Sequence, residues 1–509
     1  MRIQLSGLGT GRLREEQRLQ APSSKPQTSN RRTAHAPDHW SLAPGASLEL
    51  GTWSLELARQ PIFRLTARRR REHGSVLIIV LWVAFGLIAL TLYFAHSMSF
   101  ELRASDNRAS AIEADQAIAG AARYVSNVLA TVREPATLPD ILNYRSEAVP
   151  IGDATFWLIG RGEQNVAVDQ AHFGLVDEAS KLNLNAPWLT VDILMNLPRM
   201  TAELAGSILD WRDADSNVTE GGGAENDTYQ RLNPPYRCKN APFESVEELR
   251  LVNGAYLDLL YGEDANLNGV LDSNENDSDG SVPADNRDGR LDAGFFEYFT
   301  VYSRQAALDQ YGSNRVNVTA LNNRATQAQL LAALNTAGIG NAQDIVRRVQ
   351  NPTPTSELHF YILSQMSEEE FMKIETSLTT TNEGPVNVNT ASETVLACIP
   401  GIGAANASTL VAHRRSNRDR LNTVAWVKDA LDQATAIQAG RYLTGRTYQF
   451  SADIAAVGHH GRGYRRVNYI FDTSEGPPMI RFRQDLTHLG WALGKQAKQS
   501  LLANNSLRR

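Results

Sequence analysis

One unbroken apolar run dominates the hydrophobic pattern of the chain. Val76–Ala95 is a run of 20 residues without a charged side chain, and no Asp, Glu, Lys or Arg occurs from Gly74 to Phe100. A helix that rises about 1.5 Å per residue crosses the roughly 30 Å hydrocarbon core of a bilayer with this length. Arg68–Arg71 lie just before the run, which predicts a cytoplasmic N-terminal flank and a non-cytoplasmic remainder of the chain.

A cleaved secretory peptide is the alternative explanation of this run. Its apolar core would span about 7–15 residues before a small-residue cleavage site. The run in this chain is longer, and the sequence after it continues as an amphipathic helix to about Arg133, so we predict a membrane anchor. Residues 1–67 are polar and poor in aromatics, which favours disorder. A misplaced start codon and a long leader both explain them.

Period-two alternation predicts strands at both ends of the part outside the membrane. Ala154–Gly162 alternates after the helix, and three segments near the C-terminus alternate between Gly-rich turns: Tyr448–Val457, Arg465–Ser474 and Pro477–Asp485. These segments predict an antiparallel sheet. The tail from Gly494 onward is expected to be loosely ordered.

A helical unit occurs twice between these strands. Each copy has an N-x-N pair, an apolar helix, a proline-containing turn and a second apolar helix, and the copies start at Leu182 and Val386. Each continues, after an insert, into an F/L-x-x-V motif. Repetition of one supersecondary unit predicts a helical domain made of two copies. Two segments between them, Phe295–Ala307 and Arg315–Asn323, alternate as strands.

Composition narrows the function. Roughly 400 residues lie outside the membrane, enough for two or three domains. The net charge of -6 does not indicate a nucleic-acid partner, whereas the acidic residues between Glu263 and Glu297 favour cations. The sequence contains no G-x-S-x-G, H-E-x-x-H or phosphate-loop motif, so we predict no enzyme. Cys238 and Cys398 are either paired in an oxidising compartment or two free thiols.

The acidic region contains a complete calcium-loop pattern, D-x-[DN]-x-[DN]-G-x5-E. Oxygen ligands are needed at positions 1, 3, 5, 7, 9 and 12, with a glycine at position 6 for the sharp turn. The predicted ligands are Asp264, Asn266, Asn268, the Val270 carbonyl, Asp272 and Glu275, and the glycine is Gly269. An Asn/Asp-rich turn capped by its own side chains is the alternative, and the completeness of the pattern favours calcium.

Two further acidic loops are candidates for cation binding. Asp285, Asp288 and Asp292 do not fit the same register, and they either complete the first site or bind a second ion. The other set surrounds the glycine run 221–223, and a flexible run between carboxylates can wrap a hard cation. On the residues alone, a solvated loop after a helix is favoured for this set. Its members are Asp213, Asp215, Glu225 and Asp227.

Two other features have a functional and a structural interpretation. Ile399–Gly403 reads IPGIG, a helix-hairpin-helix turn, and the amides of the following helix can face an anion such as DNA phosphate. The basic residues nearby are few (His413, Arg414 and Arg415), so close helix packing is favoured. His459-His460 suggests a metal, but adjacent loop histidines are more often solvated.

The N-terminal pattern resembles a type IV prepilin or pseudopilin. A basic leader, Gly74 and an apolar helix that runs into an amphipathic one are typical of that family. The resemblance implies that a prepilin peptidase cleaves between Gly74 and Ser75 and that Ser75 becomes the methylated first residue. Most members have a glutamate at mature position five, where this chain has Ile79. An apolar residue there is similar to the K-type minor pseudopilins of type II secretion and suits a tip subunit.

Segments of the soluble part resemble the same K-type family in order, from Asp177–Asn185 through ILDWRDADS, GGGAENDTY and PPYRCKNAPFESVEELRLVNG to IPGIG. The resemblance implies an α+β pseudopilin fold: a long N-terminal transmembrane helix plus a small antiparallel sheet, with a large inserted helical domain of two helix-hairpin-helix/SAM-like units. It also implies a dicalcium site in the loop that contains Asp213, Asp215, Glu225 and Asp227. The acidic insert at 263–297 departs from the family pattern, so one to three calcium ions are expected.

The expected function is that of a minor pseudopilin at the tip of the type II secretion pseudopilus, supporting export of folded proteins from the periplasm. The implied partners are the I- and J-type minor pseudopilins, the inner-membrane platform and the prepilin peptidase. The implied location is the bacterial inner membrane, in a single pass with a periplasmic C-terminal domain. A membrane-anchored DNA-binding protein that uses the hairpin, and a calcium-dependent adhesin on an uncleaved anchor, are the alternatives.

The expected domain boundaries follow from these patterns. They are a leader (1–74), the transmembrane helix (75–98), the pilin helix with the first strands (99–180), the first helical unit with the calcium loops (181–300), connecting strands and helices (301–384), the second helical unit (385–445), the C-terminal sheet (446–493) and the tail (494–509).

Overall fold

The computed structural model describes residues 75–132, 136–162, 171–380, 383–417 and 421–507. The expected leader and Gly74 lie outside these residues, so only Ser75 of the expected cleavage site is described. The chain divides into two units between Val80 and Leu81, and the first unit contributes only residues 75–80 to the described part.

The elements of the described residues are numbered in chain order. The helices are α1 (Ser75–Ala130), α2 (Val191–Leu194), α3 (Ala202–Arg212), α4 (Asn226–Tyr229), α5 (Leu257–Tyr261), α6 (Phe295–Tyr298), α7 (Arg324–Thr336), α8 (Ala342–Val349), α9 (Glu357–Ser364), α10 (Glu368–Ile374), α11 (Glu393–Ala397), α12 (Gly403–Ser416), α13 (Val427–Ala430), α14 (Gln433–Ala439) and α15 (Gly494–Leu507). The strands are β1 (Val149–Ile151), β2 (Ala154–Ile159), β3 (Val176–Asp177), β4 (Leu182–Asn183), β5 (Phe299–Thr300), β6 (Val316–Asn317), β7 (Leu378–Thr379), β8 (Val386–Asn387), β9 (Leu443–Thr444), β10 (Gln449–Val457), β11 (Arg465–Asp472) and β12 (Met479–Asp485).

Helix α1 contains the apolar run. It is 56 residues long and ends at Ala130, close to the predicted end. Among the described residues it is the helix whose length and composition allow it to cross a membrane. Its side chains are exposed on all sides from Val76 to Ala109, apart from the half-buried Asp106, and one face becomes buried from Ser110 onward. Among the described residues, the helix therefore has an exposed apolar part and a second part that packs against other residues of the chain.

The packed part of α1 lies on an antiparallel sheet of strand order β1-β2-β10-β11-β12, with β3 also paired to β10. The three predicted C-terminal strands are confirmed as β10, β11 and β12. Ala121 and Val125 of the helix share a core with Phe156 and Ile454 of the sheet. A helix that covers one face of a small antiparallel sheet is the arrangement that the pseudopilin resemblance implies.

The other face of the sheet is covered near the C-terminus. Trp157 and Val457 pack there with Ala497 and Leu501 of α15. The expectation of a loosely ordered tail was therefore wrong for residues 494–507. The apolar positions of this short helix are stabilised by the sheet, and a sequence window on the tail alone does not reveal that contact.

The chain leaves the sheet after β3 and returns at β10, and the residues between form an inserted helical domain. Three parallel two-residue strand pairs occur in it: β4 with β5, β6 with β7, and β8 with β9. Each pair joins the two ends of one helical unit, at 182–300, 316–379 and 386–444. The sequence analysis predicted two units and assigned 301–384 to connecting strands and helices. The structure adds a third unit within that segment.

The three units share the turn chemistry that the N-x-N pattern indicates. The Oδ1 atoms of Asn183, Asn317 and Asn387 each accept a hydrogen bond from the backbone N–H two residues later, at 2.9, 2.9 and 3.0 Å. An Asn side chain that bonds its own backbone in this way ends a strand and starts a turn. The asparagines are thus structural. Val316-Asn317-Val318 repeats the letters of Val386-Asn387-Val388, although Thr319 replaces the second asparagine of the N-x-N pair, and this was the signal of the third unit.

The hairpin between the helices also repeats. Arg199, Gly338 and Gly401 occupy equivalent places with φ values of 61°, 74° and 92°. Gly338-Ile339-Gly340 repeats the letters of Gly401-Ile402-Gly403, which is the second overlooked signal of the middle unit. A positive φ favours glycine, so Arg199 holds a strained backbone where the other two units are relaxed.

The two segments predicted as strands between the units are mostly not strands. Phe295–Tyr298 is helix α6, and only Phe299–Thr300 and Val316–Asn317 pair. Phe295 and Tyr298 are buried in the core of the insert together with Phe299. Phe295 and Tyr298 are three residues apart and lie on one face of a helical turn. Over so few residues, a run of apolar side chains is compatible with a strand as well as with a helical turn, which explains the error.

A buried carboxylate joins the insert to the sheet. Asp177 ends β3, is 1 % exposed, and accepts hydrogen bonds from Ala179 N–H at 2.7 Å, Asn387 Nδ2 at 2.7 Å and Thr390 Oγ1 at 2.5 Å. Thr447, just before β10, also donates to it. Burial raises the pKa of Asp177 to about 6, against the effect of these donors. The start of the insert, its last unit and its return to the sheet therefore meet at one side chain.

Candidate metal centre

The first acidic loop of the insert converges on one point. Helix α3 ends at Arg212, and the chain then turns through Asp213 and Asp215 and returns at Glu225, the residue before α4. Oxygen atoms of these three carboxylates all lie within 4.8 Å of one another. Of the described residues, this is the group of carboxylate, imidazole or thiol side chains that is close enough to hold a metal ion.

Several oxygens at this point are buried without a hydrogen-bond donor. They are Asp210 Oδ2, Asp213 Oδ1, Asn240 Oδ1 and both carboxylate oxygens of Glu225. Glu225 is 5 % exposed and Asp210 is fully buried. Buried acceptors without partners are rare in proteins and each is costly. A hard cation that takes six to eight oxygen ligands satisfies them together, so the donor set fits calcium.

The electrostatics of the loop agree with a cation site. Burial raises the pKa of Glu225, and the neighbouring Asp210 and Asp213 carboxylates raise it further. Burial together with Asp215 and Asp210 also raises the pKa of Asp213. Like charges that are held together in this way destabilise the ion-free protein at neutral pH, and a divalent cation reverses the sign of that interaction.

The glycine run allows the loop to close around the carboxylates. Gly221 and Gly222 have φ values of 95° and 126°. A side chain on Gly223 would overlap Asp210 Oδ2, so the backbone passes directly over that buried carboxylate. Close approach of backbone to a site is a use of glycine that no other residue provides.

The structure changes the membership of this centre. Asp227, predicted as a ligand, is exposed in the first turn of α4 and lies outside the converging group. Asp210 and Asn240 were not predicted. The available signal for Asp210 was a carboxylate on the buried side of an apolar helix, between Ile208 and Trp211, where an unpaired charge is costly. Asn240 is distant in sequence and gave no signal.

The calcium-pattern loop at 264–275 also gathers its predicted residues, but its oxygens have protein donors. Asp264 accepts from the backbone N–H groups of Asn268 and Gly269 at 2.9 and 2.8 Å. Glu275 accepts from those of Ala265 and Asp272 at 3.1 and 2.9 Å. This is the self-capped arrangement described above as the alternative.

Side-chain amides complete this loop. Asn266 and Asn268 donate to Asp272 Oδ2 at 2.9 and 3.2 Å, and Asn268 Oδ1 accepts from the Val270 N–H at 2.7 Å. Asn266 Oδ1 is buried without a donor. Burial raises the pKa of Glu275 to about 8 and also raises that of Asp264. The hydrogen-bond donors to the two buried carboxylates of this loop, Asp264 and Glu275, are therefore backbone amides.

This loop is also fixed to the sheet by two arginines. Arg466 of β11 is fully buried, donates to the carbonyls of Asn266 and Leu267, and pairs with Asp453 of β10 at 2.5 Å. Arg161 donates to the Leu267 carbonyl at 3.0 Å. The loop is therefore bonded directly to strand β11 through Arg466 and, through the Arg466–Asp453 pair, is connected to strand β10.

The residues of the third acidic loop do not converge. Asp285 accepts from the N–H groups of Asp277 and Ser278 at 2.9 and 3.0 Å. Asp292 accepts from Asn286 Nδ2 at 3.1 Å, and Asp288 is exposed. The three predicted carboxylates thus have separate partners. The buried carboxylate of this region is Glu263, which accepts from the N–H groups of Asn286 and Asp292 at 3.1 and 3.0 Å.

One of the basic residues near the hairpin of the last unit, Arg414, has a structural role. Arg414 is buried and donates to the carbonyls of Val388 and Ala391 at 3.2 and 2.7 Å. Arg212 has the same role in the first unit, donating to the carbonyls of Leu184, Ala186 and Leu189. Both arginines hold the first turn of their own unit closed, which favours the packing interpretation of the hairpin.

Both cysteines are buried free thiols. Burial raises the pKa of Cys238 to about 11 and that of Cys398 to about 12, so neither is a reactive thiolate at neutral pH.

The candidate metal centre of Asp213, Asp215 and Glu225 lies in a segment of the chain that matches a known protein family. The family described as "Type II secretion system (T2SS), protein K" matches residues 188–260, and a helix-hairpin-helix motif family matches residues 381–429. The first match contains the loop from Asp210 to Asn240. The loop at 264–275 lies just beyond it.

A curated relative carries the same family name. The type II secretion system protein K of Aeromonas hydrophila is 27% identical over 199 residues, which cover 36% of this chain and 60% of that protein. The crystal structure of a GspK–GspI–GspJ complex from the type 2 secretion system of enterotoxigenic Escherichia coli is similar at 11% identity and a TM-score of 0.35, over 73% of this chain and 95% of that chain.

We expect Glu225→Gln to stabilise the protein in a calcium chelator at pH 7, by on the order of 1 kcal/mol, because it removes an uncompensated buried charge. The raised pKa of Glu225 also implies that the chelated wild type becomes more stable as the pH falls from 7 towards 5, since the folded state takes up the proton first. Thermal unfolding measures both effects. Asp227→Asn, an exposed carboxylate of the same loop, is the matched control, and a Glu225→Gln variant less stable than this control in chelator would contradict the account.

Proposed function

We propose that this chain belongs to the protein K family of type II secretion systems, is a minor pseudopilin at the tip of the secretion pseudopilus and supports export of folded proteins from the periplasm. The observation that carries the proposal is the protein K domain at residues 188–260, inserted into a sheet that lies on one long apolar helix. The family is a secretion component and not a known class of enzyme.

The properties of α1 support anchoring in the inner membrane. Its exposed apolar residues need either lipid or other apolar helices around them. The arginines at 68–71 favour a cytoplasmic N-terminus, so the sheet and the insert are periplasmic. A prepilin peptidase would then cleave after Gly74 and expose Ser75 as the first residue of the mature chain.

The tip position follows from the size of the insert and from Ile79. The insert occupies 178–448, between two neighbouring strands of the sheet, and we propose that its size blocks the addition of a further subunit. Ile79 is exposed and apolar, so it offers no carboxylate to the N-terminus of a preceding subunit. We propose the I- and J-type minor pseudopilins as partners, joined through the exposed length of α1, and the inner-membrane platform as the assembly site.

Calcium is the proposed cofactor, with one to three ions. Asp213, Asp215 and Glu225, helped by Asp210 and Asn240, supply the first site. Their carboxylates converge, and buried oxygens of Asp213, Glu225, Asp210 and Asn240 have no protein donor. The loop from Asp264 to Glu275 supplies a second site if its amide partners are exchanged for the ion. The ions would stiffen acidic loops that otherwise repel themselves. The loop with Asp285, Asp288 and Asp292 is the weakest candidate, since its carboxylates point to separate partners.

Calcium binding to the full-length protein in detergent separates these sites. We expect Glu225→Gln and Glu275→Gln each to lose one bound ion relative to the wild type, because each removes a carboxylate that lies at the centre of one loop. Equilibrium dialysis with radioactive calcium measures the stoichiometry. Asp227→Asn, next to the first site, and Asp288→Asn, on the third acidic loop, are exposed controls and should bind as the wild type does. Unchanged stoichiometry in Glu225→Gln would refute the first site, and unchanged stoichiometry in Glu275→Gln would refute the second.

Deletion of the gene in its own host tests the secretion function. We expect export of type II substrates to be lost and to return when the full chain is supplied, and we expect the head to be found at pseudopilus ends by immunogold labelling. Label along the whole filament would contradict the tip position. Normal export after deletion, together with salt-dependent DNA binding by the purified chain, would instead support a DNA-binding protein that uses the hairpin at 399–403.

A further inference from the structure

The sequence analysis set aside His459 as a solvated loop residue, but its two ring nitrogens both contact carboxylates of α1. The turn between β10 and β11, residues 458–463, lies against the helix at Ser110, which is fully buried. A side chain at Gly458 or Gly463 would overlap the backbone of Ser110. The turn is thus in direct contact with the helix backbone, and its position there does not depend on long side chains.

His459 bridges two carboxylates of the helix from this position. Its Nε2 lies 2.7 Å from Asp106 Oδ1, and its Nδ1 lies 2.6 Å from Glu113 Oε2. The backbone N–H of His459 also donates to Glu113 at 3.0 Å, and Arg462 pairs with Asp106. Asp106, Ser110 and Glu113 are spaced by four and three residues, so they share one face of the helix.

The geometry identifies the protonation state. An ionised carboxylate only accepts hydrogen bonds, so a histidine that contacts a carboxylate through each ring nitrogen must carry a proton on both. The hydrogen bonds to Asp106 and then to Glu113 raise the pKa of His459, and the contacts of His459 lower the pKa values of both carboxylates. The bridge is therefore an imidazolium between two carboxylates.

We propose that His459 is a proton-operated latch that fastens the turn 458–463 to the segment of α1 between the apolar run and the packed half. When the proton leaves, one of the two carboxylates loses its imidazole donor. The segment from Glu101 to Glu113 is then held by the remaining ring N–H, by the His459 backbone N–H on Glu113, by Arg462 on Asp106 and by the close turn contact. The helix then bends more freely against the sheet. The latch requires neither the calcium sites nor the secretion role.

Other charged groups surround the latch. The helix also carries Asp115, which faces Arg465 at 3.4 Å. The C-terminal helix α15 packs against the turn as well. The charged or titratable groups on these elements are Glu101, Arg103, Asp106, Arg108, Glu113 and Asp115 at positions 101–115 of α1; His460, Arg462, Tyr464 and Arg465 on and after the turn; and Lys495 and Lys498 on α15.

The direction of the pH effect follows from these shifts. Because the pKa of His459 is raised above its ordinary value of about 6.5, its contribution is complete below that pH and is lost as the pH rises through the raised value. Because the pKa values of Asp106 and Glu113 are lowered, their contribution is lost only in stronger acid. The latch is closed at pH values below the ordinary histidine pKa and opens as the pH rises through the raised pKa of His459.

Nuclear magnetic resonance of the full chain, labelled with ¹⁵N-histidine in lipid nanodiscs, tests the latch first in the wild type and then in variants. We expect His459 to carry both protons at pH 6 and to titrate above the ordinary histidine value. Asp106→Asn and Glu113→Gln should each lower the pKa of His459, and His460→Gln, on the same turn, should leave it unchanged. A neutral His459 at pH 6 would overturn the proposal.

Hydrogen exchange of residues 101–113, corrected for intrinsic rates, gives the mechanical consequence. Protection should fall in the wild type as the pH rises through the raised pKa of His459 and should lose this pH dependence in His459→Gln, with the His460→Gln control like the wild type. Protection of the wild type that does not change with pH, or the same pH dependence in His459→Gln, would show that His459 is not a latch.

Discussion

The buried carboxylate of Asp177 is the contact on which the arrangement of the head depends. Strand β3 pairs with β10 at Asp177 and Phe450, so the insert leaves and re-enters the sheet at neighbouring strands. Asp177 then binds Asn387 and Thr390 of the last helical unit and Thr447 before the return. Because a buried carboxylate is costly without donors, these four elements must meet for the chain to fold. An insert of any internal shape is thereby held to the same sheet.

The described part of the insert consists of three helical units, and in each of them the two ends pair with each other. Each of the three units joins its ends through a parallel pair of two residues, and two of them hold their first turn with an arginine, the half-buried Arg212 or the buried Arg414. This closure leaves loops free to lengthen without disturbing the core. Both candidate calcium loops belong to the first unit, one inside the family domain at 188–260 and one just beyond it. The second loop also touches the sheet through Arg466, so it is the one whose state reaches the rest of the head.

The sequence predicted those parts of the structure whose signal is local. The apolar run and the three C-terminal strands follow from periodicity, and Asp213, Asp215 and Glu225 followed from the family resemblance. The parts that were missed depend on contacts between distant residues. Asn240 joins the metal centre from a separate loop, and α15 is stabilised by the face of the sheet. The third helical unit did have a local signal, the repeated V-N-V and G-I-G letters, but it has Thr319 in place of the second asparagine and its hairpin lacks the proline used to define the repeat.

The central claim is that α1 is a pseudopilin helix and not a permanent anchor with an intact leader. Mass spectrometry of the N-terminus of the chain isolated from its own membranes tests this claim most directly. The account predicts a chain that begins at Ser75 with a methylated amino group. A mature chain that still carries the arginines at 68–71 would contradict the account and would favour an uncleaved membrane-anchored receptor or adhesin.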